Sequence, residues 1–118
     1  MKLYLNEASP YARLIRVLLI ETGLGRETEL VSTDPWDPPA DLLAVNPASK
    51  VPALLLEDGT VLIESSCIAE YLIECAGRAD LSPQSHENVA GRLQILGLGR
   101  AAIDCAFGAV IQQRFAPG

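Results

Sequence analysis

The rhythm of apolar and polar positions changes several times along this chain, and each change marks an element. Lys2-Leu3-Tyr4-Leu5 reads as a short strand. Asn6-Glu7-Ala8-Ser9-Pro10 reads as a turn that starts a helix. Ser9 is a natural N-cap, and Pro10 falls at the first helical position, where its missing N–H costs nothing. Leu14, Ile15, Leu18 and Leu19 recur at helical spacing and predict a core face, with Arg13 and Arg16 off it. Gly23 and Gly25 stop the helix. Residues 29–33 predict a second strand. Pro35, Pro38 and Pro39 then force a loop around Trp36. Residues 41–45 give at most a turn or two of helix, and Asn46-Pro47-Ala48-Ser49-Lys50 is another loop.

Residues 51–56 and 60–63 predict two strands joined by Glu57-Asp58-Gly59. An Asp-Gly pair between apolar runs is the strongest short-range hairpin signal. Ser65 or Ser66 then caps a helix carrying Ile68, Tyr71, Leu72 and Cys75, which Gly77 ends. The order β-α-β-(short α)-β-β-α predicts a mixed four-stranded sheet with helices on both faces, the thioredoxin-like α/β arrangement. Residues 1–77 would form this domain, and 78–85, with Pro83 inside, a linker. Residues 86–118 would be the first helix of an all-α domain. That helix, Val89–Phe115, has apolar residues at Val89, Leu93, Leu96, Ile103, Phe107, Val110 and Ile111. One helix this apolar cannot bury its own stripe, which predicts a partner surface or a further segment.

Composition narrows the function classes. With 118 residues, 49% hydrophobic and 20% charged, the chain can bury the core of one domain plus a piece of another. A net charge of −6 argues against nucleic-acid and anionic-membrane partners, which need basic patches. A strand already occupies the start, so no secretory leader is expected. Uninterrupted apolar runs are far shorter than the roughly 20 residues of a membrane span. Cys67, Cys75 and Cys105 are an odd count without metal-ligand spacing. They predict buried thiols in a reducing cytoplasm rather than disulfides or a metal site.

Three segments carry chemistry. Lys50-Val51-Pro52 puts a proline at the mouth of a strand, where it cannot extend the ladder. Twelve residues after that proline, Glu64-Ser65 places an acid and a hydroxyl at the start of a helix, a pair that can hold a zwitterionic amino-acid head group. Ser9-Pro10-Tyr11-Ala12 opens the first helix. With Asn46-Pro47 and Ile68-Ala69-Glu70-Tyr71-Leu72, these pieces resemble, in order and spacing, the N-terminal domain and first C-terminal helix of the cytosolic glutathione S-transferase family. The resemblance covers the whole chain, although family members normally continue with several more helices that build most of the co-substrate pocket.

The resemblance implies a site for glutathione as co-substrate, with no metal. Val51-Pro52 would be a cis bond that turns the Val51 backbone toward the cysteinyl unit, as an added strand would lie. Glu64 would take the γ-glutamyl ammonium, and Ser65 with the free N–H groups of its helix the carboxylate. Lys50 would pair with the glycyl carboxylate and Trp36 would wall that end. Ser9 would donate a hydrogen bond to the sulfur and favour the thiolate, with the positive helix end behind it. Each has a plainer alternative: an edge-strand proline, helix caps at Ser65 and Ser9, a solvated lysine, a loop-anchoring tryptophan. Tyr4 and Asn6 are the other candidates for contacting the thiol. Arg13 and Arg16 could add to the positive field, or be solvated. His86 reads as an exposed helix-start residue.

The function so implied is attack of the glutathione thiolate on an electrophilic small molecule, by a cytoplasmic homodimer. The alternative is a non-catalytic glutathione-binding or protein-interaction module of the same fold. A thiol–disulfide oxidoreductase is disfavoured, because Ser9 and Ala12 stand where a glutaredoxin-like motif has its two cysteines.

Overall fold

The computed structural model describes residues 1–82 and 87–116. Its elements are β1 (Lys2–Leu5), α1 (Pro10–Thr22), β2 (Glu29–Ser32), α2 (Ala40–Val45), β3 (Ala53–Leu55), β4 (Val61–Ile63), α3 (Ser65–Cys75) and α4 (Val89–Phe115). Two compact units are present, Met1–Ala79 and Asp80–Gly118.

In the first unit the strands form one mixed sheet in the order β2-β1-β3-β4. β1 and β2 run parallel, while β1–β3 and β3–β4 are antiparallel. The Asp58-Gly59 hairpin forms as its sequence dictates. Gly59 takes φ 87, and Asp58 Oδ1 accepts from the Thr60 N–H at 2.9 Å. That hydrogen bond holds the exposed Asp58 carboxyl below its ordinary range. Side chains alternate across the sheet. Tyr4 and Ala53 pack with Leu42 of α2 on one face, bordered by Val31, Val45, Val51 and Leu55. Leu3, Leu5 and Leu54 are buried on the other, where α1 and α3 pack together through Ile15, Leu18, Leu19, Ile68 and Leu72. Arg78 donates to the Glu21 carbonyl and ties the chain after α3 to the last turn of α1.

Two expectations about burial need correction. Leu14 is 38% exposed, and the core face of α1 is Ala12, Ile15, Leu18 and Leu19. Cys67, Cys75 and Cys105 are all exposed rather than buried. The buried line of α3 runs through Ile68 and Leu72, and Cys67 falls off it; Cys75 falls on that line by spacing but is the last residue of the helix and is exposed. There the Tyr71 phenol is pushed up by a hydrogen bond to the Cys75 thiol, with a smaller effect of burial. His86 and Pro83 lie outside the described residues.

In the second unit, α4 has no buried residue and its apolar side chains point all round it, Ile95 and Leu98 as well as Leu93 and Phe107. By length and composition this helix could also cross a membrane, with a mean hydropathy of 1.4 over its best window. Counting uninterrupted apolar runs misses this, because Arg100 and Asp104 break the run while one helix carries both.

Candidate functional site

Sheet register gathers the chemistry-bearing segments at one end. Leu5 is paired with Ser32, Tyr4 with Ala53, and Ala53 with Ile63. The chain leaving β1 and β2, the chain entering β3 and the chain leaving β4 therefore share one edge. Those four segments carry Ser9, Trp36, Lys50-Val51-Pro52 and Glu64-Ser65.

Ser9 is the N-cap of α1, with φ −73 and ψ 120. Its Oγ accepts from the Ala12 N–H at 3.2 Å, and its carbonyl accepts from Arg13 at 3.0 Å. A hydroxyl that accepts a hydrogen bond still has its proton to donate, so capping leaves Ser9 free to serve a sulfur. The alternatives are less free. Tyr4 is 3% exposed, in the core cluster. Asn6 has its amide engaged at both atoms: Nδ2 donates to the Thr33 carbonyl at 3.0 Å, and Oδ1 accepts from the Ala8 N–H at 3.0 Å. Arg13 and Arg16 are exposed.

The second segment is organised by Asn46, which is 3% exposed. Its Oδ1 accepts from the Ala48 N–H at 3.2 Å, and its Nδ2 donates to the Lys50 carbonyl at 2.9 Å. Ser49 has φ 55 and donates its hydroxyl to the Pro35 carbonyl at 2.8 Å. Lys50 is exposed, Val51 half-buried and Pro52 buried. The Val51–Pro52 peptide is cis, as the family resemblance implied. Ladder pairing of β3 begins at Ala53, so Val51 stands just before it. Trp36 is 48% exposed in the adjoining loop, its backbone N–H donating to Asp34 Oδ1 at 2.9 Å.

At the third segment the helix starts one residue earlier than a Ser65 or Ser66 cap requires. Glu64 is the N-cap, with φ 70 and ψ 120 and no side-chain capping bond, and Ser65 is the first helical residue. The Ile68 N–H reaches the Glu64 carbonyl at 3.1 Å. Helix geometry leaves the preceding N–H groups, those of Ser65, Ser66 and Cys67, outside the intrahelical ladder and directed off the helix start. The Ser65 hydroxyl is thereby released from capping. Glu64 and Ser49 are the two positive-φ non-glycine residues among those described. Such backbone costs about 1–3 kcal/mol, and here it stands immediately before Ser65 and before Lys50-Val51.

Sequence reasoning missed the paired turns that carry these segments. The signal was present: Asn6-Glu7-Ala8-Ser9 and Asn46-Pro47-Ala48-Ser49 share the pattern Asn-x-Ala-Ser. No cluster of three potential metal-ligating side chains occurs among the described residues. An open hollow lined by Leu81, Arg92, Ile95 and Leu96 lies within the second unit and includes no predicted site residue.

Comparison with known proteins identifies the family. A family profile described as "Glutathione S-transferase, N-terminal domain" matches residues 8–75. A stringent starvation protein A homolog of Pasteurella multocida is 36% identical over 83 residues, 70% of this chain and 38% of that protein. A glutathione S-transferase structure from Methylobacillus flagellatus with glutathione bound is 33% identical, with a TM-score of 0.84 over 99% of this chain and 57% of that one. A glutathione transferase family member from Pseudomonas fluorescens, also with bound glutathione, is 30% identical, with a TM-score of 0.82 over 98% and 58%. The chain spans little more than a third of the length of the curated relatives it matches.

Proposed function

The chain belongs to the glutathione S-transferase family, and from that premise we propose that it binds glutathione and activates its thiol for attack on an electrophilic small molecule. One observation carries the reading: the sheet register collects Ser9, Val51 and Glu64-Ser65 at a single edge. Glutathione is an extended tripeptide with an amino-acid head, a central thiol and a terminal carboxylate. The Glu64 carboxylate takes the γ-glutamyl ammonium. The Ser65 hydroxyl and the N–H groups at the start of α3 take the adjoining carboxylate, which the helix dipole also favours. The Val51 backbone pairs with the cysteinyl unit in the manner of an added strand. Lys50 reaches the glycyl carboxylate, and Trp36 walls that end.

Ser9 then faces the sulfur. Its hydroxyl donates to the thiolate, and the start of α1 adds positive potential, so the thiol loses its proton to solvent at lower pH. The thiolate attacks the electrophilic carbon and forms a C–S bond. The displaced group leaves with its electron pair, or, on an activated double bond, the adjacent carbon is protonated. No metal enters this scheme. The working form is a cytoplasmic homodimer, as the family resemblance implies.

A second reading, a glutathione-binding or interaction module without turnover, is favoured by one relative whose name is that of a stringent starvation protein rather than a transferase. Calorimetric titration with glutathione, followed by thioether formation from glutathione and an activated aryl halide, separates the two. Binding with turnover supports the transferase, binding alone supports the module, and no binding removes both glutathione readings.

A further inference from the structure

The two Asn-x-Ala-Ser turns are built alike. In each, the asparagine Oδ1 accepts from the alanine N–H two residues on, at 3.0 Å for Asn6 and 3.2 Å for Asn46. In each, the asparagine carbonyl accepts from the serine N–H, at 3.1 Å for Ser9 and 2.9 Å for Ser49. They differ in what they reach. From the first turn, Asn6 Nδ2 donates across to the Thr33 carbonyl at 3.0 Å. From the second, the Ser49 hydroxyl donates to the Pro35 carbonyl at 2.8 Å. Thr33 is itself fixed to the end of β1, its N–H donating to the Leu5 carbonyl at 2.8 Å. Two turns that are 40 residues apart in sequence are thus bonded to backbone carbonyls only two residues apart.

We propose that Asn6 and Ser49 are positioning residues, which hold the Ser9 turn and the Lys50-Val51 turn in register by stitching both to one backbone bridge, residues 33–35. The proposal rests on reading these turns as a glutathione site, where Ser9 faces the sulfur and Val51 the cysteinyl backbone of the same ligand unit. A small slip between them would misalign thiol and backbone together. Asn6 therefore acts through the turn rather than by touching the thiol, consistent with its amide being engaged at both ends. The bridge is short, and proline at 35 limits its freedom. Both stitches are needed because each joins one turn to the bridge, the Asn6 bond the Ser9 turn and the Ser49 bond the Lys50-Val51 turn. Ser49 keeps its unfavourable φ of 55 while its hydroxyl is bonded to Pro35.

The test uses Asn6→Asp and Ser49→Ala, singly and together, in the whole chain. Aspartate retains the Oδ1 acceptor that makes the turn but has no Nδ2 to reach Thr33. Asn6→Ser, neutral and able to form the same local turn, controls for the added charge. The readouts are glutathione affinity by calorimetry, thermal midpoint, and acrylamide quenching of Trp36, the single tryptophan, which sits next to the bridge. Each single change should weaken glutathione by roughly five-fold, the worth of one hydrogen bond, and make Trp36 more quenchable. The double variant should be no weaker than the worse single, because either loss already breaks the link between the two turns. Losses that multiply to roughly 25-fold, or unchanged affinity with only a lowered midpoint, overturn the proposal. If the parent chain does not bind glutathione, the functional reading fails by itself. The bridge is then decided by Trp36 alone: raised, non-additive quenching supports it and unchanged quenching overturns it.

Discussion

Ala53 and Ile63 face each other across the β3–β4 hairpin. Because the strands are antiparallel, the residue before Ala53 and the residue after Ile63 are brought side by side. Those are Pro52 and Glu64, twelve positions apart in sequence. A three-residue ladder on each strand thus joins the Lys50-Val51 turn to the Glu64-Ser65 helix start, and it does so through the Asp58-Gly59 turn alone.

Replacing Ser65 by alanine tests the head-group end. Ser65 is helical rather than capping, so α3 should lose little stability. A hydrogen bond to a charged group is worth about 1.5–3 kcal/mol, so glutathione should bind at least ten-fold more weakly. Calorimetry beside thermal melting checks both halves. A large drop in melting temperature with unchanged affinity would return Ser65 to a structural role.

Glu64 allows a separation of strain from binding. At φ 70 a glycine is relaxed and a glutamate is not. Glu64→Gly should therefore raise stability by about 1 kcal/mol, whereas Glu64→Ala, which keeps a Cβ, should not. Both remove the carboxylate and should weaken glutathione alike. Denaturant unfolding of the two variants decides the first point, and titration the second. Equal stabilities would mean that the backbone is not strained there.

Much of this arrangement was legible in the sequence, for identifiable reasons. Asp58-Gly59, Ser9-Pro10 and Gly23 are local signals whose backbone preferences need no tertiary help, and each formed as expected. The ends of α4, read from its apolar positions rather than from caps, also fell where expected. What was not legible depends on packing. The exposure of Cys67 follows from which line of α3 meets α1, and that of Cys75 from its place at the last turn, where the helix ends; apolar character alone reveals neither. The cap at Glu64 rather than Ser65 required a positive φ that no propensity favours. The cis bond came from the family resemblance, not from the dipeptide. The Thr33 and Pro35 carbonyls are backbone acceptors, and sequence says nothing of which side chain will find them.

The exposure of the cysteines is itself checkable. All three thiols should react with an aromatic disulfide reagent in native buffer, with no denaturant. Cys67→Ser and Cys75→Ser should each alter stability by less than about 0.5 kcal/mol. Leu72→Ala, at a fully buried site between α3 and the rest of the core, should cost about 2–5 kcal/mol. A Cys67 thiol that reacts only on unfolding would put α3 the other way round.

Asp58 carries a pH signature. Its folded carboxyl titrates below the ordinary 3.8 because the Thr60 N–H favours the charged form. The stabilisation is therefore fully present above the unfolded pKa and is lost as pH falls through the lower folded value. Asp58→Asn keeps an acceptor for Thr60 but cannot titrate. It should flatten part of the fall in melting temperature below about pH 4 and leave the neutral plateau nearly unchanged. An acid limb identical to the parent's would sink the assignment.

Ser9 separates cap from catalyst. As an N-cap its replacement by alanine should cost about 1 kcal/mol, and by glycine only a few tenths. As the donor to a thiolate it should be missed equally in both variants. Loss of a hydrogen bond to the charged form raises the pKa of the bound thiol, by about one unit for roughly 1.4 kcal/mol. At neutral pH less thiolate is present, so turnover falls, and the rising limb of the pH–rate profile moves to higher pH. Glycine and alanine variants with the same displaced limb but different melting temperatures would establish both roles. A limb that stays in place while stability falls would leave Ser9 as a cap only, and the sulfur's partner would have to be sought elsewhere along the start of α1.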